Sequence, residues 1–294
     1  MHPHFTADAI SELVSFPDAV DALAAAFAGP LRHIDRVHAQ IGGGDFLMMG
    51  ATLDAGDGEG GEHRVAGTKL VMVQPRNIGT ERPLIQGSYV LFDALRGCPI
   101  ATMDGAALTN LRTPAITMVA ARVLGRRNPQ TAVVVGRGVQ GKAHVAALRS
   151  TFASLTDITM VGRGEAIGQA DHVIGATSSV EPWLRLDTIR PGTHVSLVGA
   201  YRPDMREVGT DVVVGSAVFF DDAAAARAEA GDLIQATNEG WSWDRARGDL
   251  ADVVSGRATR RNDDEITLFK SVGLAIEDLV VARLVAHRAG LFRS

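Results

Sequence analysis

The chain has 294 residues, 46% of them hydrophobic and 21% charged, which is enough for two domains with buried cores. A formal net charge of −5 and scattered basic residues exclude a nucleic-acid-binding surface, and no apolar run is long enough to span a bilayer. The single cysteine, Cys98, excludes an intrachain disulfide, and with no signal-peptide pattern at the N-terminus the expected compartment is the cytoplasm.

The first predicted element is a helix over SFPDAVDALAAAFAG, with Ser15 as N-cap, Pro17 in the first turn and Gly29 as a stop. From Val37 to Met103, the runs HAQIGG, DFLMMGA, VAGTKLVMV, LIQGSYVLFD and PIATMD are short, apolar or alternating, and separated by Gly, Asp and Pro. They predict the strands of a meander or twisted antiparallel sheet. DAGDGEGGEH, residues 54–63, reads as a polar hairpin loop. Cys98 reads as a packing residue entering a strand. Thr113 and Pro114 predict the N-cap and first position of a helix over AITMVAARVLG, which places Arg112 just before that helix.

After Asn128-Pro129 the pattern becomes β-α-β: TAVVVG, then VQGKAHVAALRS, then DITMVG. DHVIGAT, THVSLVG and SAVFFDD add further strands, and near-continuous apolar strands suit a parallel sheet covered on both faces. DEITLFKSVGLAIEDLVVARLVAHRAG predicts one long amphipathic helix returning to the first domain. The fold class is α/β, with a Rossmann-type parallel-sheet domain and an α+β antiparallel-sheet domain. The expected boundaries are 1–113 plus about 280–294 for the antiparallel domain, and 114–279 for the Rossmann domain.

Gly136, Gly138 and Gly141 form G-x-G-x-x-G directly after a strand and at a helix start. The first glycine permits the tight turn, the second lets the backbone approach a pyrophosphate, and the third lets helix pack on strand. A dinucleotide domain specific for NAD carries an acid about 20 residues on, to hold the ribose 2′-OH. Gly162 stands at that place, followed by Arg163. A guanidinium can pair with a 2′-phosphate, so NADP(H) is preferred, with NAD(H) possible. The alternative is an exposed Arg163, with Glu165 contacting the ribose instead. Between Arg163 and the strand at Asp171 there is no room for the helix and strand of a regular Rossmann half, so one β-α unit is missing.

Lys69 lies inside an apolar strand, and two readings stay open. A buried lysine has a lowered pKa and acts on carbonyl or imine carbon or binds a carboxylate; an edge lysine simply faces water. Arg112 suits a carboxylate or phosphate, or a salt bridge flanking a helix. Arg36 is individually uninformative. The histidines lack ligand spacing, with His2 and His4 at a fraying end, so no metal site is expected.

The segments GTKLVMVQPRN, LFDALRGCPIATMDGAALTNLRTPA, VVVGRGVQGKAHVAAL, GAYRPDMREV, the GDL at 248–250 and EITLFKSVGLAIEDLVVA keep a familiar order. From about Arg36 to the C-terminus the chain resembles the ornithine cyclodeaminase/mu-crystallin family. The resemblance implies a substrate-binding and homodimerising antiparallel domain and an NAD(P)-binding Rossmann domain. It places Arg36 and Lys69 on the carboxylate and amine of an amino-acid-like substrate, with Arg112 at the cofactor–substrate junction. It places Gly138, Val139 and Gln140, with Gly136 and Gly141, in the pyrophosphate turn. Thr177, Val198 and Gly199 would line the nicotinamide side, and Ser271 and Gly273 would close the site from the last helix. Met49, Gln86, Ser88 and Tyr201 are the expected specificity positions. Cyclodeaminases of the family carry a G-G-D-x-P segment whose aspartate transfers a proton. Here VGAYRPDMRE has Tyr201 at that place, and Asp204 lies three residues on. The R-P-D-M-R-E form resembles members that reduce imines, such as ketimine and Δ1-pyrroline-2-carboxylate reductases. The alternatives are an ornithine cyclodeaminase, an alanine dehydrogenase or amino-acid synthase, and a binding protein that retains NADPH and a small ligand.

Overall fold

The computed structural model describes residues 2–30, 32–34, 36–53 and 64–292, so the loop expected at 54–63 lies outside the described residues. The chain divides into two compact units, Met1–Arg112 with Leu274–Ser294, and Thr113–Gly273.

The first unit opens with β1 (His4–Phe5), α1 (Ala7–Leu13) and α2 (Phe16–Phe27). Helix α2 starts as expected: Ser15 Oγ accepts from Asp18 N–H, and the Asp18 carboxylate accepts from Ser15 N–H at 2.9 Å. There follow β2 (Arg32–His33), β3 (Val37–Ile41), β4 (Gly44–Leu53), β5 (Val65–Val73), β6 (Ile85–Asp93) and β7 (Cys98–Asp104). Among the described residues these form a seven-stranded sheet in the order β1-β7-β6-β5-β4-β2, with β3 also on β4. The pairs β4–β5, β5–β6 and β6–β7 are antiparallel, as the alternation predicts. His4 is not frayed, because β1 adds to the sheet in parallel with β7. Cys98 does begin β7, but it is exposed rather than packed.

Helix α3 (Gly105–Leu124) begins well before Thr113, and Pro114 lies inside it. Asp104 is the actual cap, its Oδ1 accepting from the N–H groups of Ala106 and Ala107 at 2.9 Å. Proline removes one helical hydrogen bond, yet residues 111–120 are all buried, and that packing outweighs the local cost. Arg112 is therefore held mid-helix, at a fixed angle.

The second unit contains β8 (Thr131–Val135), α4 (Val139–Thr151), β9 (Asp157–Val161), β10 (His172–Gly175), β11 (His194–Leu197), α5 (Thr210–Gly215) and β12 (Ala217–Phe220). It continues with α6 (Ala223–Glu229), α7 (Gly231–Asn238), β13 (Gly248–Asp249), α8 (Leu250–Val254) and β14 (Thr267–Lys270). The sheet is parallel, in the order β13-β12-β14-β11-β10-β8-β9. Strand β9 ends the sheet, and residues 162–171 pass from it to β10 on the far side of β8 without a helix or strand. This is the Rossmann half with one β-α unit deleted.

The last segment is not one helix. TLFK forms β14 in the middle of the parallel sheet, and only Ala275–Arg288 is helical, as α9. Thr267 Oγ1–H donates to Leu124 O at 3.0 Å, and all four residues of β14 are buried, so sheet completion overrides the helical reading. Helix α9 packs on β4, β5 and α2 within the first unit. The boundary accordingly falls at Leu274 rather than at about 280.

Candidate active site

In the first unit, strand alternation decides which side chains meet. Val65, Gly67, Lys69, Val71 and Val73 of β5 point to the face that α9 covers, and Lys69 pairs in register with Met49 of β4 and Tyr89 of β6. Lys69 is 2% exposed, so the edge reading is ruled out. Its Nζ donates to Asp278 Oδ1 at 2.9 Å and to Thr109 Oγ1 at 3.1 Å, and lies 2.8 Å from Asp278 Oδ2. Arg112 Nη1 donates to Glu277 Oε2 at 2.7 Å, and its Nε lies 3.6 Å from Asp278 Oδ1. Glu277 and Asp278 occupy the first turn of α9, where Glu277 Oε1 also accepts from Leu274 N–H at 3.1 Å.

Burial lowers the pKa of Lys69 from 10.5 to about 8; Asp278 opposes the fall, and the charges of Arg112 and Arg36 add to it. Arg36 thus acts electrostatically on the same cluster. Tyr89 is fully buried beside it, its hydroxyl packed on Gly67, where a Cβ would stand 2.1 Å from the oxygen; burial raises the phenol pKa. Met49 shares this face. Gln86 and Ser88 do not: they alternate to the opposite face of β6 and are exposed.

In the second unit, each glycine of the turn has a distinct reason. Gly136 has φ of 124°, and a Cβ there would stand 2.4 Å from Ala176 O. A Cβ on Gly141 would stand 1.8 Å from Gly136 O, so helix and strand touch there. Gly138, the N-cap of α4, has no heavy atom of the described residues within 4 Å of its Cβ position. No contact among the described residues requires glycine at 138, and the open space at the N-terminus of α4 is what a pyrophosphate would need. Val139 is exposed at the same helix start, and Gln140 is half-buried, its carbonyl accepting from His144 Nδ1 at 2.8 Å. The turn fits a dinucleotide.

The ends of β10 and β11 are locked by Glu207. Its Oε1 accepts from Thr177 N–H at 3.0 Å and Thr177 Oγ1–H at 2.7 Å, and its Oε2 accepts from Gly199 N–H at 2.8 Å. A Cβ on Gly199 would stand 1.9 Å from Thr177 O, so these two expected residues are in direct contact, with Val198 beside them. Burial raises the Glu207 pKa, and the Lys270 charge opposes this. Lys270 Nζ in turn lies 3.1 Å from Asp232 Oδ2. Ser271 and Gly273 lie in the link after β14, not on the helix. Asp221 Oδ2 accepts from the N–H groups of Val272 and Gly273 at 2.7 and 2.9 Å, and Gly273 has φ of 80°. Arg163 Nη1 donates to Ser179 Oγ at 3.4 Å. Tyr201 is half-buried with the Arg202 guanidinium 6.0 Å from its ring centre, while Asp204 pairs with Arg202 at 2.9 Å, and that bonding lowers its pKa.

Glu277, Asp278, Thr109, Tyr89 and Glu207 were not singled out from sequence. The pair Glu277-Asp278 inside the apolar stretch VGLAIEDLVVA was the available signal, since acids in a buried helix need partners.

A family model, ornithine cyclodeaminase/mu-crystallin family, matches residues 7–165 and 156–290. The chain belongs to this family. The two matched stretches overlap at residues 156–165, which hold β9 and the start of the shortened link to β10. A Δ1-pyrroline-2-carboxylate reductase of Bacillus cereus is 31% identical over 252 residues, covering 76% of this chain and 77% of that protein. The mouse ketimine reductase mu-crystallin is 31% identical over 240 residues, covering 74% of each. The Thermococcus litoralis Δ1-pyrroline-2-carboxylate reductase, solved with NADH and L-proline, matches with a TM-score of 0.89 at 29% identity, over 98% of this chain and 97% of that one.

Proposed function

We propose that the protein is an NAD(P)H-dependent oxidoreductase that reduces a cyclic imine or ketimine alpha to a carboxylate, of the Δ1-pyrroline-2-carboxylate reductase type. The buried Lys69–Asp278 pair, with the charges of Arg112 and Arg36 acting on it, carries the reading. Arg36 and Arg112 hold and orient the substrate carboxylate, and Glu277 fixes the Arg112 guanidinium. Lys69, protonated at neutral pH, gives its proton to the substrate nitrogen, and Asp278 and Thr109 aim it. A bound nicotinamide cofactor supplies the hydride. The Gly136–Gly141 turn would hold its pyrophosphate, and Thr177 and Gly199, both bonded to Glu207, would line its nicotinamide side with Val198. Met49 remains a proposed specificity position of the first unit, and Tyr201 and Gly273 of the second.

Tyr201, standing where cyclodeaminases of the family carry their aspartate, favours reduction over cyclodeamination, and Asp204 three residues on is engaged by Arg202 at 2.9 Å. Arg163 beside Gly162 is the feature that speaks for NADP(H); the NADH in the Thermococcus relative speaks for NAD(H). A homodimer is supported by the outer face of the antiparallel sheet, where Met48 and Leu70 are 37% and 39% exposed in one row. No helix among the described residues is long and apolar enough to cross a membrane, and we place the protein in the cytoplasm.

The test is oxidation of NADH and NADPH with Δ1-pyrroline-2-carboxylate, with ornithine and NAD as control. Rapid nucleotide oxidation with the imine supports the reading. Ammonia release from ornithine without it overturns the reading in favour of the lyase. Light scattering reporting one chain per particle would overturn the dimer.

A further inference from the structure

At the end of β9, the place where a dinucleotide domain presents its ribose-binding acid, the chain has glycine. The residues that follow fold back onto that place. Glu165 N–H donates to Gly162 O at 3.3 Å, and Gly164 between them has φ of 82°, the geometry of a tight turn with glycine at its third position. The turn brings the Glu165 side chain over Gly162. A Cβ on Gly162 would stand 2.9 Å from Glu165 Oε1 and 3.6 Å from Arg137 Nε. The Glu165 carboxylate thus fills the space into which an acid at 162 would extend.

Two further contacts define its setting. Arg137, between the first two glycines of the turn, donates from Nη2 to Glu165 Oε2 at 2.6 Å. Arg163, the residue expected to meet a 2′-phosphate, is drawn to Ser179 Oγ on the other side. One guanidinium is therefore neutralised by Glu165, and the other is turned toward the loop after β10. With the β-α unit after β9 deleted, no other element of the sheet lies beyond this edge among the described residues.

We infer that Glu165, oriented by Arg137, is the residue that selects the dinucleotide, and that it selects NAD(H) over NADP(H). This rests on the reading of the Gly136–Gly141 turn as a dinucleotide site. A carboxylate accepts hydrogen bonds from the vicinal 2′- and 3′-hydroxyls of a ribose. A 2′-phosphate at the same place brings close to two negative charges against it. The pair does for this shortened domain what a strand-end acid does for a full one. The sequence left Arg163 and Glu165 as alternatives, and the turn that returns Glu165 to Gly162 favours Glu165.

The experiment is titration of the purified protein with NADH and NADPH, followed by calorimetry or nucleotide fluorescence, with no imine present. The wild type is expected to bind NADH at least tenfold more tightly than NADPH. Glu165→Gln should weaken NADH at least tenfold and bring the two affinities within about threefold of each other, a size typical of losing charge-assisted hydrogen bonds. The double variant Gly162→Asp, Glu165→Gln should restore the NADH preference, since φ at 162 is not positive and the only close approach to a Cβ there, 2.9 Å, is from the flexible end of the residue 165 side chain, which can swing aside. Tighter binding of NADPH by the wild type, or an unchanged ratio in Glu165→Gln, overturns the inference and leaves the imine-reductase reading standing. Failure of imine turnover with the ratio as expected overturns only that reading. No binding of either nucleotide overturns both.

Discussion

Asp278→Asn removes the carboxylate 2.8 Å from Lys69 Nζ. At an effective dielectric constant near 20, unit charges at that distance attract by roughly 6 kcal/mol, equivalent to about four pKa units. Lys69 already sits at about 8, because burial outweighs the help it receives from Asp278. Losing even half of that attraction takes the amine to about 6, so it is largely neutral at pH 7. In the wild type the proton is retained at neutral pH and lost as pH rises through about 8, so kcat for imine reduction should fall on the alkaline side with that midpoint. In Asp278→Asn the midpoint should move to about 6 or below, and kcat at pH 7 should drop by roughly tenfold or more. Lys69→Ala should lose roughly 10²–10⁴ in kcat with nucleotide binding intact. The assay is nucleotide oxidation under saturating imine from pH 5 to 9.5, with circular dichroism to verify the fold. An alkaline midpoint that stays at about 8 in Asp278→Asn, or full turnover in Lys69→Ala, refutes the assignment of Lys69 as the acid. Stability carries the same signature with a definite sign. The folded pKa lies below the unfolded one, so keeping the lysine charged costs folding roughly 3 kcal/mol. That cost is relieved as pH rises from about 8 toward 10.5, and stability should increase over that window if no other group intervenes.

The buried histidines of the second unit act at the other end of the scale. Burial lowers His144 and His172 to about 4 and His194 well below its usual value, so each is neutral in the fold and readily charged when unfolded. Stability should therefore fall as pH drops below about 6.5 and continue falling toward 4, by up to roughly 3 kcal/mol for each of His144 and His172; urea midpoints that do not change between pH 7.5 and 5 would refute this. The turn glycines separate two roles. Gly141→Ala should lower the melting temperature, because its methyl would meet Gly136 O, whereas Gly138→Ala should leave stability within about 0.5 kcal/mol and weaken nucleotide binding. Equal effects of the two on melting would contradict the open space at 138. Tyr89→Phe removes a buried hydroxyl that has no hydrogen-bond partner in the described structure, so unfolding free energy should be unchanged or rise by about 1 kcal/mol; a loss beyond 2 kcal/mol would reveal a bond to that oxygen.

Much of the architecture was determined by local pattern. Period-two alternation set the faces of the antiparallel strands, near-continuous apolar runs set the parallel ones, and the glycine spacing after TAVVVG located the tight turn between β8 and α4. The gap after Gly162 was countable, so the deleted β-α unit was legible as well. Local pattern failed where tertiary packing overrides propensity. TLFK reads as helix by periodicity and becomes a central strand because β11 and β12 leave a gap that only a strand fills. Pro114 reads as a helix start and lies mid-helix because Asp104 caps the chain earlier and the surrounding core holds the rest. The site follows the same division. The sequence offered Lys69 and Arg112 as residue types suited to a carboxylate, and Arg36 came only with the family resemblance. Only the tertiary structure decided that Lys69 is buried and that Asp278, distant in sequence, holds its proton. Only the turn at Gly164 decided that Glu165 returns to the end of β9. Each depends on contacts between segments whose proximity no local spacing encodes, and burial, which sets the chemistry of a charged group, is a property of those contacts alone.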